Sequence, residues 1–240
     1  MITESEAIKR FREYSNRFQN LADRIKNPID LFIEAEKSVV REDFCSGSDM
    51  FLGYYCPSLI FDLVVGNVHR GILLKRITKR SKPTHRYGFD KDNRLRTMVE
   101  IPDAEEMNIA NRAVLLYEEN LITIIHIHHF EEITEIDVMA ECIYDVDNKL
   151  KQYTVGLMDN SRYNDISQEI YNYSDGGLDT VTMWKCDCLP GGKLKTYIPQ
   201  IDTYHFHHDS DGYIASYETV GNDFWDGTVF ELSEKKRRRI

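Results

Sequence analysis

The sequence is poor in cysteine, has no long apolar run and lacks the short motifs of several large enzyme classes. Its 240 residues include five cysteines, an odd and scattered set. The longest apolar stretch, residues 121–127, is interrupted by Thr123 and His126, whereas a membrane-spanning helix needs roughly 18 apolar residues. There is no P-loop, G-x-G-x-x-G, H-E-x-x-H or G-x-S-x-G motif. These absences argue against a disulfide framework, a membrane-spanning helix and the nucleotide-binding, zincin and α/β-hydrolase classes.

The N-terminus lacks the basic and apolar regions of a signal peptide, because charged residues occur from Glu4 onward. Together with the odd number of cysteines, this predicts a cytoplasmic protein with reduced thiols. Hydrophobic residues make up 42 % of the chain, which is enough to predict an ordered core rather than disorder.

The charge is distributed very unevenly along the chain. Residues 1–100 carry 18 basic and 14 acidic side chains, residues 101–234 carry 7 basic and 26 acidic ones, and the last six residues contain five basic ones. A strongly acidic half should repel nucleic acid and attract basic partners or cations. The alternative is that these charges only keep the surface solvated.

The residue pattern in the first part of the chain predicts helices. Thr3 and Glu6 form a capping box in front of apolar residues spaced three and four apart, which predicts a helix over residues 3–26. Asn27 ends this helix, and Pro28 suits the first position of a second one. We therefore assign residues 1–46 to an N-terminal helical segment.

Residues 47–232 show the composition and alternation of β-strands. Turn signals occur at nearly equal steps of 26 to 28 residues, which suggests a repeated hairpin unit. They are Gly66-Asn67, Asp92-Asn93, Glu119-Asn120, Asp147-Asn148 and Asp175-Gly176. The pattern predicts a mainly β (α+β) fold, namely a large antiparallel β-meander of ten to thirteen strands that is curled or barrel-like, followed by a basic tail at residues 233–240.

Three of the turns share an aromatic-Asp-x-Asp-(Asn/Gly)-x-aliphatic motif, in which the aromatic position is Phe89, Tyr144 or His208. The motif resembles the YD-repeat hairpins of bacterial Rhs-type and related wall-associated proteins. That family tends to have Gly where this chain has Asn93 and Asn148. The resemblance implies repeated hairpins over less than a third of the chain.

A histidine-rich strand indicates a possible site for a divalent metal. His126, His128 and Glu132 form an H-x-H-x3-E string, and alternate strand residues face the same way, so both imidazoles could reach one ion. The string resembles the first metal motif of cupins, although its flanking glycines and the second motif are absent. His205 and His207 could add ligands from another strand. The alternative is that these histidines are half-buried sheet residues.

No motif supports an enzyme, so we expect a non-enzymatic protein-binding module. More specifically, we expect an immunity or antitoxin-like protein of a bacterial toxin system, whose acidic surface binds a basic toxin domain by electrostatic complementarity. The expected contacts are acidic side chains of the second half: Glu131, Glu132, Glu135, Asp137 and Glu141. Two alternatives remain open, a metal-dependent cupin-like enzyme and a small-ligand-binding β-barrel.

Overall fold

The antiparallel hairpins expected from the turn spacing are present in the computed structural model of the protein. The structure describes residues 2–64, 69–78, 80–102, 111–159, 162–187, 199–221 and 227–232. Within them the fold is mainly antiparallel β with helices at the N-terminal end. The expected β-meander is therefore confirmed. The basic tail 233–240 and the Gly66-Asn67 turn lie outside the described residues.

The first two helices begin where the sequence predicts them, and a third short helix was not predicted. They are α1 (Glu4–Arg24), α2 (Pro28–Glu36) and α3 (Leu59–Leu63), with a 3₁₀ turn at Gly53–Tyr55. Thr3 caps α1, because its Oγ1 accepts a hydrogen bond from Glu6 N (3.3 Å). The described part of the chain contains no helix that is both long and apolar enough to span a bilayer.

The described residues form thirteen strands, within the expected range of ten to thirteen. They are β1 (Arg41–Ser46), β2 (Ile72–Leu73), β3 (His85–Phe89), β4 (Leu95–Glu100), β5 (Arg112–Tyr117), β6 (Leu121–Phe130), β7 (Ile133–Tyr144), β8 (Leu150–Asp159), β9 (Arg162–Ser174), β10 (Gly177–Asp187), β11 (Gln200–His208), β12 (Ile214–Gly221) and β13 (Val229–Glu231).

The chain divides into two compact units. The central unit is Gln19–Glu141, and the C-terminal unit combines Met1–Phe18 with Cys142–Ile240. The strand order is β7-β6-β5-β4-β3-β1-β2 in the central unit and β13-β12-β11-β10-β9-β8 in the C-terminal unit. Each order ends on a strand without a second neighbour, β2 or β13, so the described strands of neither unit close into the barrel expected as one alternative.

Two parts of the sequence prediction are wrong. Residues 41–46 lie inside the segment 1–46 that we assigned to helices, but they form strand β1. They are extended because they pair with β3, from Arg41 opposite Phe89 to Cys45 opposite His85. Conversely, the residues before Gly66-Asn67 form α3 instead of a strand. Ser58 caps that helix, since its Oγ accepts a hydrogen bond from Phe61 N (3.1 Å).

The three motif turns have the same hydrogen bonds. In the β7–β8 turn, Asp145 Oδ1 accepts from Asp147 N and Lys149 N (both 2.9 Å), and Asp145 N donates to Lys149 O (3.0 Å). The turns that begin at Asp90 and Asp209 repeat this pattern within 0.1 Å. The fourth residue of each turn has a positive φ, which explains why the motif has Asn or Gly there. The motif therefore forms these turns through hydrogen bonds among its own residues.

We predict that Asp145→Ala destabilises the protein by about 1–2 kcal/mol, because two backbone N–H groups lose a charged acceptor. Asp147→Ala is the matched control: Asp147 is exposed and contributes its backbone N–H to the turn, so its truncation should cost less than about 0.5 kcal/mol. Urea unfolding followed by circular dichroism measures both changes. Equal losses for the two variants would show that the carboxylate of the first Asp does not hold the turn.

In the C-terminal unit, the first part of α1 packs on β8 and β9. Phe18 is fully buried and meets Tyr163 edge to face, with 5.6 Å between ring centroids. Ser15 Oγ donates to Tyr163 O (2.6 Å), and Gln152 Nε2 donates to Tyr14 Oη (2.6 Å). Both apolar and polar contacts thus anchor the helix on the sheet.

The core of the C-terminal unit contains a polar centre around Gln168, which is fully buried. Its Oε1 accepts from Trp184 Nε1 (3.0 Å) and Arg10 Nη1 (2.8 Å), and its Nε2 donates to Thr154 Oγ1 (2.8 Å). Because a buried amide without partners is costly, these bonds fix how Trp184 and α1 pack against β9.

In the central unit, α2 is tied to the sheet through one carboxylate. Glu36 accepts a hydrogen bond from Arg86 Nη2 (2.9 Å) on β3 and another from the Thr97 hydroxyl on β4. The Arg112 guanidinium also lies over the ring of Phe32, 5.5 Å from its centroid. These contacts hold α2 beside β3 and β4 of the sheet.

Candidate functional site

Six polar side chains of the central unit are linked into one cluster, which we call the histidine–carboxylate network. It is built on β3, β4, β6 and β7 and on the residue preceding β5. Its members are His85, Glu100, Asn111, His126, His128 and Asp137.

The strand register explains why these residues meet. His85 on β3 lies opposite Glu100 on β4, and Glu100 N donates to Asn111 O (2.9 Å). On the next pair, Arg112 lies opposite Ile127, so the antiparallel register places Asn111 across from His128. Residues distant in sequence thus come together on adjacent strands.

His126 is almost completely buried, with its side chain 7 % exposed. Its Nδ1 lies 2.6 Å from Asp137 Oδ1. Because an ionised carboxylate can only accept, the ring proton belongs on Nδ1, and in the neutral ring Nε2 is left as an acceptor. The ring of Phe51 packs edge-on against the imidazole, with centroids 5.5 Å apart. The Nε2 atom is buried and has no hydrogen-bond partner in the described structure.

The two carboxylate oxygens of Glu100 have different surroundings. Its Oε2 accepts from Asn111 Nδ2 (2.7 Å), and Asn111 Oδ1 accepts in turn from His128 Nδ1 (2.7 Å). Its Oε1 lies 4.0 Å from Nε2 of His126 and also 4.0 Å from Nε2 of His85. Both distances exceed the 2.7–3.2 Å typical of a direct hydrogen bond.

His85 is the second buried imidazole that faces Glu100. Burial lowers its pKa, against the opposing effect of the Glu100 carboxylate, so the neutral ring is favoured. Its Nδ1 lies 3.0 Å from Thr84 Oγ1, and the Thr84 hydroxyl can donate to Cys45 O (3.5 Å). With that arrangement Nδ1 carries the proton, and Nε2 of His85 is an acceptor as well.

A second buried cluster, formed by Cys45 and Tyr87, lies next to His85. Tyr87 Oη lies 3.3 Å from Cys45 Sγ and accepts a hydrogen bond from Tyr54 N (2.8 Å). Burial, followed by the hydrogen bond with Cys45, raises the pKa of Tyr87 far above its ordinary value, so its hydroxyl stays neutral. A Cβ on Gly53 would clash with Tyr87 Oη. The backbone therefore fits closely over this side of the network.

The residues predicted to bind a metal are only partly brought together. His126 and His128 join the same network, but through Asp137 and Asn111 respectively. Glu132 is exposed in the β6–β7 turn. His205 and His207 lie on β11 of the C-terminal unit, half-buried and exposed respectively. Among the described residues, no group of three or more His, Cys, Asp or Glu side chains is arranged to hold a metal ion.

The residues predicted to contact a partner differ in exposure. Glu131, Glu132 and Glu135 are exposed at the end of the β6–β7 hairpin. Asp137 is half-buried and bonded to His126. Glu141 is only 1 % exposed, so it does not belong to this surface. We call the three exposed residues the acidic hairpin end.

The acidic hairpin end and the network lie on the same hairpin. Glu135 precedes Asp137 by two residues on β7 and therefore points to the same side of the strand. Exposure falls along this side from Glu135, which is exposed, through Asp137, whose side chain is 31 % exposed, to His126. Two carboxylates therefore lie on this side of β7, and that of Asp137 contacts Nδ1 of His126.

Comparison with known proteins identifies no relative of this chain: no family model, no curated protein and no solved structure matches it.

Proposed function

We propose that the protein is a non-enzymatic binding module whose acidic hairpin end recognises a basic protein. The observation that carries this proposal is the exposure of Glu131, Glu132 and Glu135 together on one hairpin. Three carboxylates so close together create a local negative potential that accelerates encounter with a positively charged surface and disfavours an acidic one.

The geometry of the hairpin end also supports this proposal. Glu131 has a positive φ of 54°, which is uncommon for a residue other than Gly, Asn or Asp. His129 Nδ1 lies 2.7 Å from Thr134 Oγ1 across the hairpin. The cross-strand contact sits next to the turn and restrains the backbone that carries the carboxylates. A pre-ordered charged surface loses less entropy on binding than a flexible one.

As the partner we propose a toxin domain with a basic cleft, such as a nuclease, which would make this chain an immunity or antitoxin-like protein. The support is charge complementarity between a nucleic-acid-binding cleft and the acidic hairpin end. The proposed relation to YD-repeat proteins has separate support, because three copies of the motif form turns with the same hydrogen bonds.

Affinity capture with three forms of the full chain tests the proposal. We expect the wild type to retain a strongly basic protein from an extract of the host organism, and the variant Glu131→Gln/Glu132→Gln/Glu135→Gln to lose it. The control Glu118→Gln/Glu119→Gln/Asp147→Asn removes the same charge from three exposed turn positions and should retain the partner. Capture of no basic protein, or equal capture by both triple variants, would contradict the proposal.

A further inference from the structure

The longest stretch of the chain without a carboxylate is residues 63–89, which contain seven basic side chains. One of them, Arg86, forms ion pairs with Glu36 and Glu42. Four others are exposed and form no ion pair within the part of the chain that the structure describes: Lys75, Arg76, Arg80 and Lys82. A local positive potential of this kind attracts an acidic partner.

Two large apolar side chains are exposed in the same segment. Ile72 is 72 % exposed and Ile77 is 50 % exposed, so covering them removes apolar surface from water. The phosphate backbone of a nucleic acid has no apolar surface to cover them. Residues 69–84 also contain no Phe, Tyr or Trp on which a base could stack. A nucleic acid therefore matches this surface less well than a protein.

Strand β2 adds hydrogen-bonding groups to this surface. It lies at the end of the strand order, and β1 is its only neighbour among the described strands. Leu74 N donates to Phe44 O (2.8 Å). Because hydrogen-bonded and non-hydrogen-bonded pairs alternate in an antiparallel ladder, the N–H and C=O groups of Leu73 point away from β1. An extended peptide can bond to both groups, whereas a lipid surface would leave them without partners.

We infer that residues 72–82, which we call the basic edge, are a docking surface for an extended acidic segment of a partner protein. The segment adds to β2 as a further strand. Its carboxylates pair with the four exposed cations, and its apolar side chains cover Ile72 and Ile77. The same cations disfavour pairing between the β2 edges of two copies of the chain. The inference does not depend on the proposed function, because the acidic hairpin end has the opposite charge and consists of other residues.

Hydrogen bonds restrain the basic edge before any partner binds. Just before β2, the Arg70 guanidinium donates from Nη2 to Ser58 O (2.6 Å). After β2, a tight turn is closed by Thr78 N, which donates to Ser81 Oγ (2.9 Å), and by Ser81 N, which donates to Thr78 O (3.0 Å). A restrained surface loses less entropy on binding than a flexible one.

The test is binding of the full chain to a fluorescein-labelled synthetic peptide of four valine–glutamate repeats, measured by fluorescence anisotropy. We expect saturable binding that weakens as sodium chloride is added, because salt screens exposed charges. A valine–glutamine peptide of the same length should bind about tenfold more weakly or worse. Equal binding of the two peptides would overturn the inference. Tighter binding of a DNA duplex, or of vesicles containing phosphatidylglycerol, than of the acidic peptide would also overturn it.

A charge-removing variant and its matched control locate the binding surface. The variant Lys75→Gln/Arg76→Gln/Arg80→Gln should weaken binding of the acidic peptide by about tenfold or more. The control Lys9→Gln/Lys26→Gln/Lys91→Gln removes the same charge from three other exposed positions and should bind like the wild type. Equal weakening by the two variants would show that only net charge matters and would contradict the inference.

The apolar and backbone contacts have their own readouts. Ile72→Ser should weaken peptide binding by about threefold or more, whereas Ile133→Ser, at a position that is 60 % exposed on β7, should not. In backbone ¹⁵N spectra, the Leu73 amide should shift saturably and exchange more slowly with solvent when the peptide binds. The Leu74 amide already donates to Phe44 O and is the internal control. An unchanged Leu73 amide at saturation would rule out strand addition.

The outcomes for the basic edge and for the acidic hairpin end can be told apart. The variant Glu131→Gln/Glu132→Gln/Glu135→Gln should bind the acidic peptide like the wild type. If the wild type captures a basic protein but does not bind the acidic peptide, this inference is wrong and the proposed function stands. If it binds the peptide through the basic edge but captures no basic protein, the proposed function fails and this inference stands.

Discussion

Trp184→Ala is expected to destabilise the C-terminal unit by about 3–5 kcal/mol, the usual cost of truncating a large buried aromatic residue. Trp184 is fully buried on β10, and its Nε1 donates to Gln168 Oε1 (3.0 Å). The substitution opens a cavity and also removes one of the donors to a buried amide. Thermal unfolding followed by circular dichroism should show a midpoint lowered by roughly 10 °C.

Two further variants separate the contributions of Trp184. Trp184→Phe keeps most of the apolar contact and loses only the N–H donor, so it should cost about 1–2 kcal/mol. Val146→Ala truncates a side chain that is 98 % exposed and should change the free energy of unfolding by less than about 0.5 kcal/mol. If Trp184→Ala were no worse than Val146→Ala, the core assigned to this unit would be incorrect.

Gly156→Val is expected to weaken the packing of α1 on the sheet by about 1–3 kcal/mol through overpacking. A Cβ at this position would lie 2.6 Å from Phe18 Cδ2 and 2.7 Å from Ile166 Cδ1. Both neighbours are fully buried, so neither can move aside without disturbing the core. Gly176→Ala is the control, because its nearest neighbour is 3.7 Å away.

A double-mutant cycle tests whether the clash involves Phe18. Phe18→Ala alone should cost about 3–5 kcal/mol, but it also creates space beside Gly156. The double variant Phe18→Ala/Gly156→Val should therefore be more stable than the sum of the two single losses implies, by about 1 kcal/mol or more. Strict additivity in urea unfolding would show that α1 does not pack at Gly156.

The sequence predicts the turns well because their structure is local. The hydrogen bonds that define the Asp90, Asp145 and Asp209 turns all fall within five consecutive residues, so the motif contains almost all the information needed. The helix start at Thr3 is predictable for the same reason.

The histidine–carboxylate network could be predicted only in part, because it depends on strand register. The H-x-H pattern pointed to His126 and His128, and both belong to the network. Their partners Glu100 and Asn111, and the second buried imidazole His85, come from other strands and carry no local motif. The acidic charge of the second half also suggested Glu141 as a partner contact, but charge alone does not give the depth of a side chain, and Glu141 is buried.

Strand β1 shows how a neighbouring strand can outweigh local propensity. Its first three residues, Arg41, Glu42 and Asp43, are a poor strand sequence. They are stabilised by β3: the Arg41 guanidinium lies 3.9 Å from the centroid of the Phe89 ring, and Arg86 Nη1 donates to Glu42 (2.6 Å). Such cross-strand contacts cannot be recognised until the pairing is known.

The most direct test of the central claim is the dissociation constant of the captured basic partner for the charge-reversed variant Glu131→Lys/Glu132→Lys/Glu135→Lys, compared with wild type in the same buffer. If the acidic hairpin end is the binding surface, reversing its three charges should weaken binding by roughly 30-fold or more, equivalent to about 2 kcal/mol. The control Glu118→Lys/Glu119→Lys/Asp147→Lys should change it far less. A dissociation constant within twofold of wild type for the hairpin variant would contradict the proposed binding surface.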